Sequence, residues 1–370
     1  MATGSFDELC VVVSEASSPD EVFEALRQGG DGWRAALRDE FERLSAVADP
    51  QLFPEAGARQ AAEIVRRRLE ELYAEALQPR DRPGEALDYR HAAPLDDERL
   101  RFSVRTGRGA YEVTGSLARG DVASLYEGRA TEGPHAGRRL VLKLADAPAD
   151  NDLMLDEVAA LERLWAGNGP QRKHLPELID HFRAPDGRVG VILERLDGLD
   201  LVEIRRRLPG GMPPQHVIWV MRRLLSALGY AHGLGMVHGN IEPAHVIVRP
   251  RDHNVFLVDW CYSVIEPAKT GRGFKVENPD FSPPEVGQRK PPLPASDLYA
   301  AGKCMAFLLG SPAGSDAPPA STDERLFRFV RYLTRVSPLQ RAQDAWDMFA
   351  ELGRIRRALF GAHRFEEFTI

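Results

Sequence analysis

With 370 residues, 48 basic against 55 acidic side chains and a formal net charge of −7, the chain has the balance of an ordinary soluble protein. That charge argues against nucleic-acid binding by phosphate neutralisation, and three scattered cysteines, Cys10, Cys261 and Cys304, support neither a disulfide framework nor a zinc cluster. No apolar run approaches bilayer length, and Asp7 and Glu8 stand where a signal peptide would be basic, so the expectation is a cytoplasmic protein with no membrane or nucleic-acid partner.

The first segments read as helices. Ser18 as N-cap and Pro19 at the first helical position open one that carries Val22, Phe23 and Leu26 on a single face and stops at Gly29-Gly30. Trp33, Leu37, Phe41 and Leu44 recur at helical spacing in the next. A third runs from Ala58 to about Leu77 with an apolar stripe of Ala61, Ile64, Val65, Leu69, Leu72 and Ala76. The loop between the last two holds Ala48-Asp49-Pro50 and Phe53, and the pair resembles the second and third helices of a J domain, which flank a His-Pro-Asp tripeptide. The resemblance implies an adaptor for a DnaK-type chaperone. The His of that tripeptide is missing here, and a plain helical docking bundle fits the same pattern.

Pro79, Pro83, Gly84 and Pro94 among many charges give residues 79–100 a linker composition. Strand-like alternation follows at Arg101–Arg105 and Tyr111–Val113, then Leu117-Ala118-Arg119-Gly120-Asp121-Val122-Ala123. Leu140-Val141-Leu142-Lys143-Leu144 is an apolar strand carrying one Lys, and the helical period from Leu153 to Leu164 places Glu157 within it. Leu175–Phe182 and Val189–Leu193 read as strands leading into Glu194-Arg195-Leu196-Asp197-Gly198, and a long helix runs from Pro214 to His232. Next come His238-Gly239-Asn240-Ile241-Glu242-Pro243-Ala244-His245, the strand Val255–Val258, and Asp259-Trp260-Cys261. Ser282-Pro283-Pro284-Glu285, Ser296-Asp297-Leu298-Tyr299 and Ser337-Pro338-Leu339-Gln340-Arg341 complete the series.

In order and spacing these stretches resemble a serine/threonine protein kinase from about Tyr111 to Leu352, roughly two thirds of the chain. The resemblance implies an α+β architecture, a two-lobed protein kinase-like fold preceded by a small all-α domain. Its expected boundaries are 1–78 for the helical domain, 79–100 for the linker, 101–194 for the small lobe and 195–370 for the large lobe. It also implies roles. Gly120 would sit over nucleotide phosphates, with Ala118 and Ala123 replacing the outer glycines of the family's loop. Lys143 would hold the α and β phosphates in partnership with Glu157, Glu194 would lie in the hinge beside the adenine with Leu193 behind it, and Asp259 would bind magnesium.

The catalytic loop departs from the family. Asn240 stands at the base position and an amide cannot take a proton at neutral pH. Glu242 replaces a phosphate-facing Lys with a negative charge, His245 replaces an oxygen ligand of magnesium with an imidazole, and Gly239 removes an Arg. The expectation is a pseudokinase that binds ATP, with magnesium held weakly at Asp259, and acts on a protein partner through the N-terminal helices or the large lobe. Two other readings stand beside it: an atypical phosphoryl or nucleotidyl transferase using Glu242 or His245, and a J-domain-like chaperone adaptor. Two further expectations concern the end of the chain. Residues between Leu309 and Arg325 show little helical pattern where the family carries a docking helix, and the Phe-rich tail from Phe360 to Ile370 is expected to pack onto the large lobe, with a partner-binding peptide as the other reading.

Overall fold

A computed structural model describes residues 6–16, 19–25, 33–53, 55–76, 102–252, 254–288, 290–362 and 368–369. The chain divides into two compact units, one up to residue 88 and one from residue 89.

In the first unit, helices α1 (Phe6–Glu15), α2 (Pro19–Val22), α3 (Trp33–Val47) and α4 (Ala56–Ala76) bury Leu9, Val13, Phe23, Leu37, Leu44, Leu69 and Leu72. Helix α1 has no counterpart in the sequence expectation. Its Val11-Val12-Val13 run has low intrinsic helix propensity, and burial of Leu9 and Val13, one turn apart, overrides that preference. On α4 the buried face is Ala62, Val65, Leu69, Leu72 and Ala76, while Ile64, expected in the stripe, is 52% exposed. Asp49 caps the turn Pro50–Leu52 by accepting the Gln51 N–H at 3.0 Å. Phe41, in the middle of α3, stacks on Tyr73 at the far end of α4 with centroids 4.2 Å apart. A simple antiparallel hairpin would place it against the first half of α4 instead. The expected Ser18 cap and Gly29-Gly30 stop lie outside the described residues, as does the whole segment 79–100 read as linker.

The second unit opens with a six-stranded antiparallel sheet, ordered β1-β2-β3-β4-β6-β5. The strands are β1 (Phe102–Arg105), β2 (Ala110–Arg119), β3 (Ala123–Glu132), β4 (Arg139–Ala145), β5 (Leu178–Arg183) and β6 (Val189–Glu194). Tyr111, Leu140, Leu142 and Ile192 pack on one face, and helix α5 (Asn151–Ala166) supplies Val158, Leu161 and Leu164 to the core shared with the rest of the unit. The larger lobe is mostly helical, with α6 (Leu201–Arg207), α7 (Pro214–Gly233), α8 (Pro267–Thr270), α9 (Pro294–Leu308), α10 (Glu324–Leu333) and α11 (Ala345–Phe360). Short strands β7 (Leu199–Asp200), β9 (Val246–Arg249) and β10 (Asn254–Leu257) form one sheet, and β8 (Met236–Val237) pairs with β11 (Val264–Ile265). Helix α9 is apolar nearly all round and is buried accordingly, at Leu298, Ala301, Cys304, Met305 and Leu308. Between α9 and α10 the chain makes only turns. At the end of the chain Phe368 is buried beside the His216 ring, centroids 5.0 Å apart, whereas 363–367 and Ile370 lie outside the described residues.

Two buried ionic clusters hold the frame on which the site rests. The Arg341 guanidinium donates to both Glu285 oxygens, at 2.7 and 3.0 Å, and to the carbonyls of Ala295, Arg335 and Val336. Asp297 accepts the backbone N–H groups of His238 and Gly239 at 2.8 and 2.9 Å and lies 2.9 Å from His232 Nε2. The loop entering the site is thus fixed from beneath by a carboxylate on a buried helix.

Candidate functional site

Lys143 projects from β4, a strand buried from Leu140 to Ala145, so its ammonium must find anions within the protein. Glu157, fully buried on α5, lies 2.9 Å from Nζ and accepts the Trp260 N–H with its other oxygen at 3.2 Å. Asp259 follows β10 in the left-handed region, φ 65°, and its Oδ1 also accepts from Lys143 Nζ. A left-handed aspartate is tolerable when its short side chain is held, as here. Burial lowers the Lys143 pKa, but Asp259 and Glu157 outweigh it and leave the ammonium firmly charged. Burial likewise raises Asp259, and Lys143 and His245 more than reverse it, holding the carboxyl well below the usual range.

The second oxygen of Asp259 faces His245, with Nε2 3.1 Å from Oδ2. That nitrogen is also 3.3 Å from Glu242 Oε1, and Nδ1 is 2.9 Å from the Asn240 carbonyl. Every partner is an acceptor, so both ring nitrogens must carry protons and the imidazole is cationic. Burial opposes that charge, and the Asp259 and Glu242 carboxylates prevail, raising the His245 pKa. Glu242 is engaged on both oxygens, since Oε2 accepts from the Asn278 side-chain amide. Asn240 is buried and donates its N–H to His238 Nδ1 at 3.3 Å. His238 in turn donates from Nε2 to the Val258 carbonyl at 3.0 Å, and burial pushes its pKa down to about 4, consistent with a neutral ring.

Lys143, Glu157, Asp259, His245, Glu242 and Asn240 thus form one connected group. Gly120 lies apart from it, at the tip between β2 and β3, donating its N–H to the Ala123 carbonyl at 2.8 Å. A Cβ there would meet that oxygen at 3.3 Å, so tight closure of the hairpin by itself favours glycine. Glu194 also faces away: its carboxylate contacts Arg138 at 3.3 Å and the Glu177 N–H at 3.2 Å, and its own N–H donates to the Glu177 carbonyl. Two participants went unrecognised in the sequence. Asn278 holds Glu242, and Lys275 donates to Asp156 on α5 at 2.8 Å and to the Ser263 and Cys261 carbonyls at 2.6 and 3.2 Å. Both are single polar residues in an irregular segment, 36 and 119 positions from the side chains they hold, and such contacts leave no local pattern.

Magnesium needs open oxygen ligands in octahedral arrangement. Here each oxygen of Asp259 already faces a cation, a protonated imidazole stands at the companion ligand position, and the described residues contain no group of three or more His, Cys, Asp or Glu able to hold a metal. These residues do not fit that ion.

The curled sheet with its single helix, the helical lobe and the ionic clusters that brace the loop define a protein kinase-like fold. The kinase domain of Mycobacterium tuberculosis PknI superposes with a TM-score of 0.52 at 20% identity, covering 66% of this chain and 95% of that domain. Sequence similarity extends to serine/threonine-protein kinase pkn3 of Myxococcus xanthus, 28% identical over 44% of this chain and 30% of that protein. It extends also to PknF of Mycobacterium tuberculosis, 26% identical over 57% of this chain and 45% of that protein. The matched stretches therefore span less than half the length of these relatives, and no family model matches the chain. Among the described residues no helix is long and apolar enough to cross a membrane.

Proposed function

We propose that this chain is a pseudokinase, a kinase-like scaffold that regulates a protein partner and does not transfer phosphate. The observation that carries this reading is the pairing of Lys143 and His245 with the two oxygens of Asp259, beside an Asn at the base position. Such a site neutralises itself and supplies neither a free metal ligand nor a proton acceptor. Glu242 is poorly placed as a substitute base, because one of its oxygens already accepts from Asn278 and the other faces the His245 ring. ATP would enter without metal, with Lys143 exchanging Asp259 for the phosphates beneath the Gly120 hairpin. The N-terminal unit and the large lobe are the surfaces we assign to the partner.

The test combines thermal melting with a labelled-phosphate assay. ATP should shift the melting temperature equally in magnesium and in EDTA, because ligand that binds only the folded state must stabilise it. Label transfer to the protein or to a generic substrate, above that of Lys143→Met, would refute the proposal.

A further inference from the structure

On the large lobe, away from the Lys143 group, α7 and α11 bring arginines together without carboxylates. Arg222 lies with its guanidinium 4.1 Å above the Phe349 ring and against the backbone of Gly353, where a Cβ would meet Cζ and both Nη atoms at 3.3 to 3.4 Å. A glycine inside a helix lowers its stability, so its presence in mid-α11 is consistent with the room that this guanidinium takes. Arg356, one turn beyond Gly353, is only 8% exposed. The Nε atoms of Arg222 and Arg356 are buried with no hydrogen-bond partner, and neither side chain has an ion pair among the described residues. Arg357, exposed, stands at the edge, and Arg223 is turned to the Asp252 carbonyl at 3.1 Å. Asp252 is committed to Arg249 and Glu351 to Arg354. Burial and then the repulsion of Arg356, Arg223 and Arg357 lower the Arg222 pKa, and among the described residues no carboxylate offsets them.

A guanidinium cannot shed its proton, so a buried one must be met by a negative charge. Arg356 is buried and Arg222 half-buried, so two positive charges share a small volume, and the buried Nε atom of each lacks an acceptor. We infer that Arg222 and Arg356, with Arg357 at the rim, form a binding site for a phosphoryl dianion. Planar forks that can each donate two hydrogen bonds suit tetrahedral phosphate oxygens, and a single carboxylate would leave one buried charge unanswered. The dianion could arrive as free phosphate or on a phosphorylated serine of a partner, and the chemistry of the site is the same for both. The site is independent of the nucleotide and of the pseudokinase reading.

The experiment is thermal melting of the full chain in inorganic phosphate and in chloride at equal ionic strength, repeated for Arg356→Met and Arg222→Met. Phosphate stabilises many proteins non-specifically, so the difference between wild type and variants is the readout. Phosphate should raise the wild-type melting temperature saturably, each variant should weaken the apparent affinity at least tenfold, and Arg356→Met should melt no lower than wild type in chloride. A parallel titration with a phosphoserine peptide and its unphosphorylated form separates the sources: binding of the first alone assigns a phosphorylated partner, and binding of phosphate without the peptide assigns a free anion. Equal phosphate shifts in wild type and both variants would overturn the inference. So would a chloride melting temperature that falls in Arg356→Met, since that would show that its guanidinium already possesses a counter-ion.

Discussion

Replacing Lys143 by Met separates a structural lysine from one that serves a nucleotide. In the wild type Nζ is the shared cation of Glu157 and Asp259, both in a site that is nearly closed to water. Without it Glu157 keeps only the Trp260 N–H, and Asp259 keeps His245 and the weak Cys261 thiol contact. Removing one partner of a buried ion pair typically costs about 3–5 kcal/mol, because the remaining charge is left uncompensated. Protonation of Glu157 limits that cost. Burial already raises its pKa with Lys143 opposing, so loss of the lysine raises it further. A carboxyl with a raised folded pKa is most favourable to the fold below its unfolded value and loses that advantage as pH rises, so the variant should lie nearest wild type at pH 5 and fall away toward pH 8. At pH 7 we expect a loss of about 3 kcal/mol, which for a unit of this size lowers the melting temperature by roughly 5 °C. Differential scanning calorimetry at the three pH values reads it directly. A variant that melts with wild type throughout would show that Lys143 answers no essential charge, and the self-neutralised site would have to be abandoned.

Arg341→Ala leaves Glu285 buried and three carbonyls without their donor, so urea denaturation should show a loss of about 3–5 kcal/mol with the midpoint lowered in proportion. Burial pushes the His174 imidazole down to about 4, so stability should decline as pH falls from about 6.5, at roughly 1.4 kcal/mol per unit, until the folded state also takes the proton near pH 4. His174→Gln should flatten that slope by one proton, leaving the share of His238. Lys275→Met frees Asp156 and the Cys261 and Ser263 carbonyls, and a local loss of about 1.4 kcal/mol should make trypsin cut near Lys269 and Arg272 roughly tenfold faster. Unchanged cleavage would mean that Lys275 does not hold the segment closed.

The fold class was legible because its marks are spaced motifs on strong elements. The apolar strand at Lys143, the long helix after Pro214 and the buried helix opening at Ser296 are local patterns, and their order fixed the architecture. The first unit was less legible. A run of valines conceals α1, and Ile64 obeys the helical period of α4 while facing solvent. In the site, a motif could suggest which positions stand near the cleft but could not reveal partners chosen at long range. That Asn278 would seize Glu242, or that Glu194 would turn to Arg138, depends on the course of an irregular segment and on side-chain rotamers, and neither has a sequence period. The protonation of His245 is a similar case. It follows from three acceptors converging on one ring, and that is a property of the folded arrangement alone.

Three of the departures from the kinase loop make physical sense only together. An Asn in place of the base Asp removes a negative charge, a Glu in place of the phosphate-facing Lys exchanges a positive for a negative one, and a protonated His in place of the ligand Asn adds a positive one. Over these three positions the net charge is unchanged, while Gly239 removes one further positive charge, and the distribution is rebuilt with the imidazolium set between Glu242 and Asp259. Reversing any one of them breaks the balance. Glu242→Lys would set an ammonium beside the imidazolium of His245, and His245→Asn would remove the cation between Glu242 and Asp259, leaving Asp259 only Lys143 on its other oxygen. In such a site each member answers another. The pairs Glu285 with Arg341 and Asp297 beneath the loop lie on other elements and are untouched by these exchanges. The fold can therefore keep its stability while the charges of the loop are redistributed.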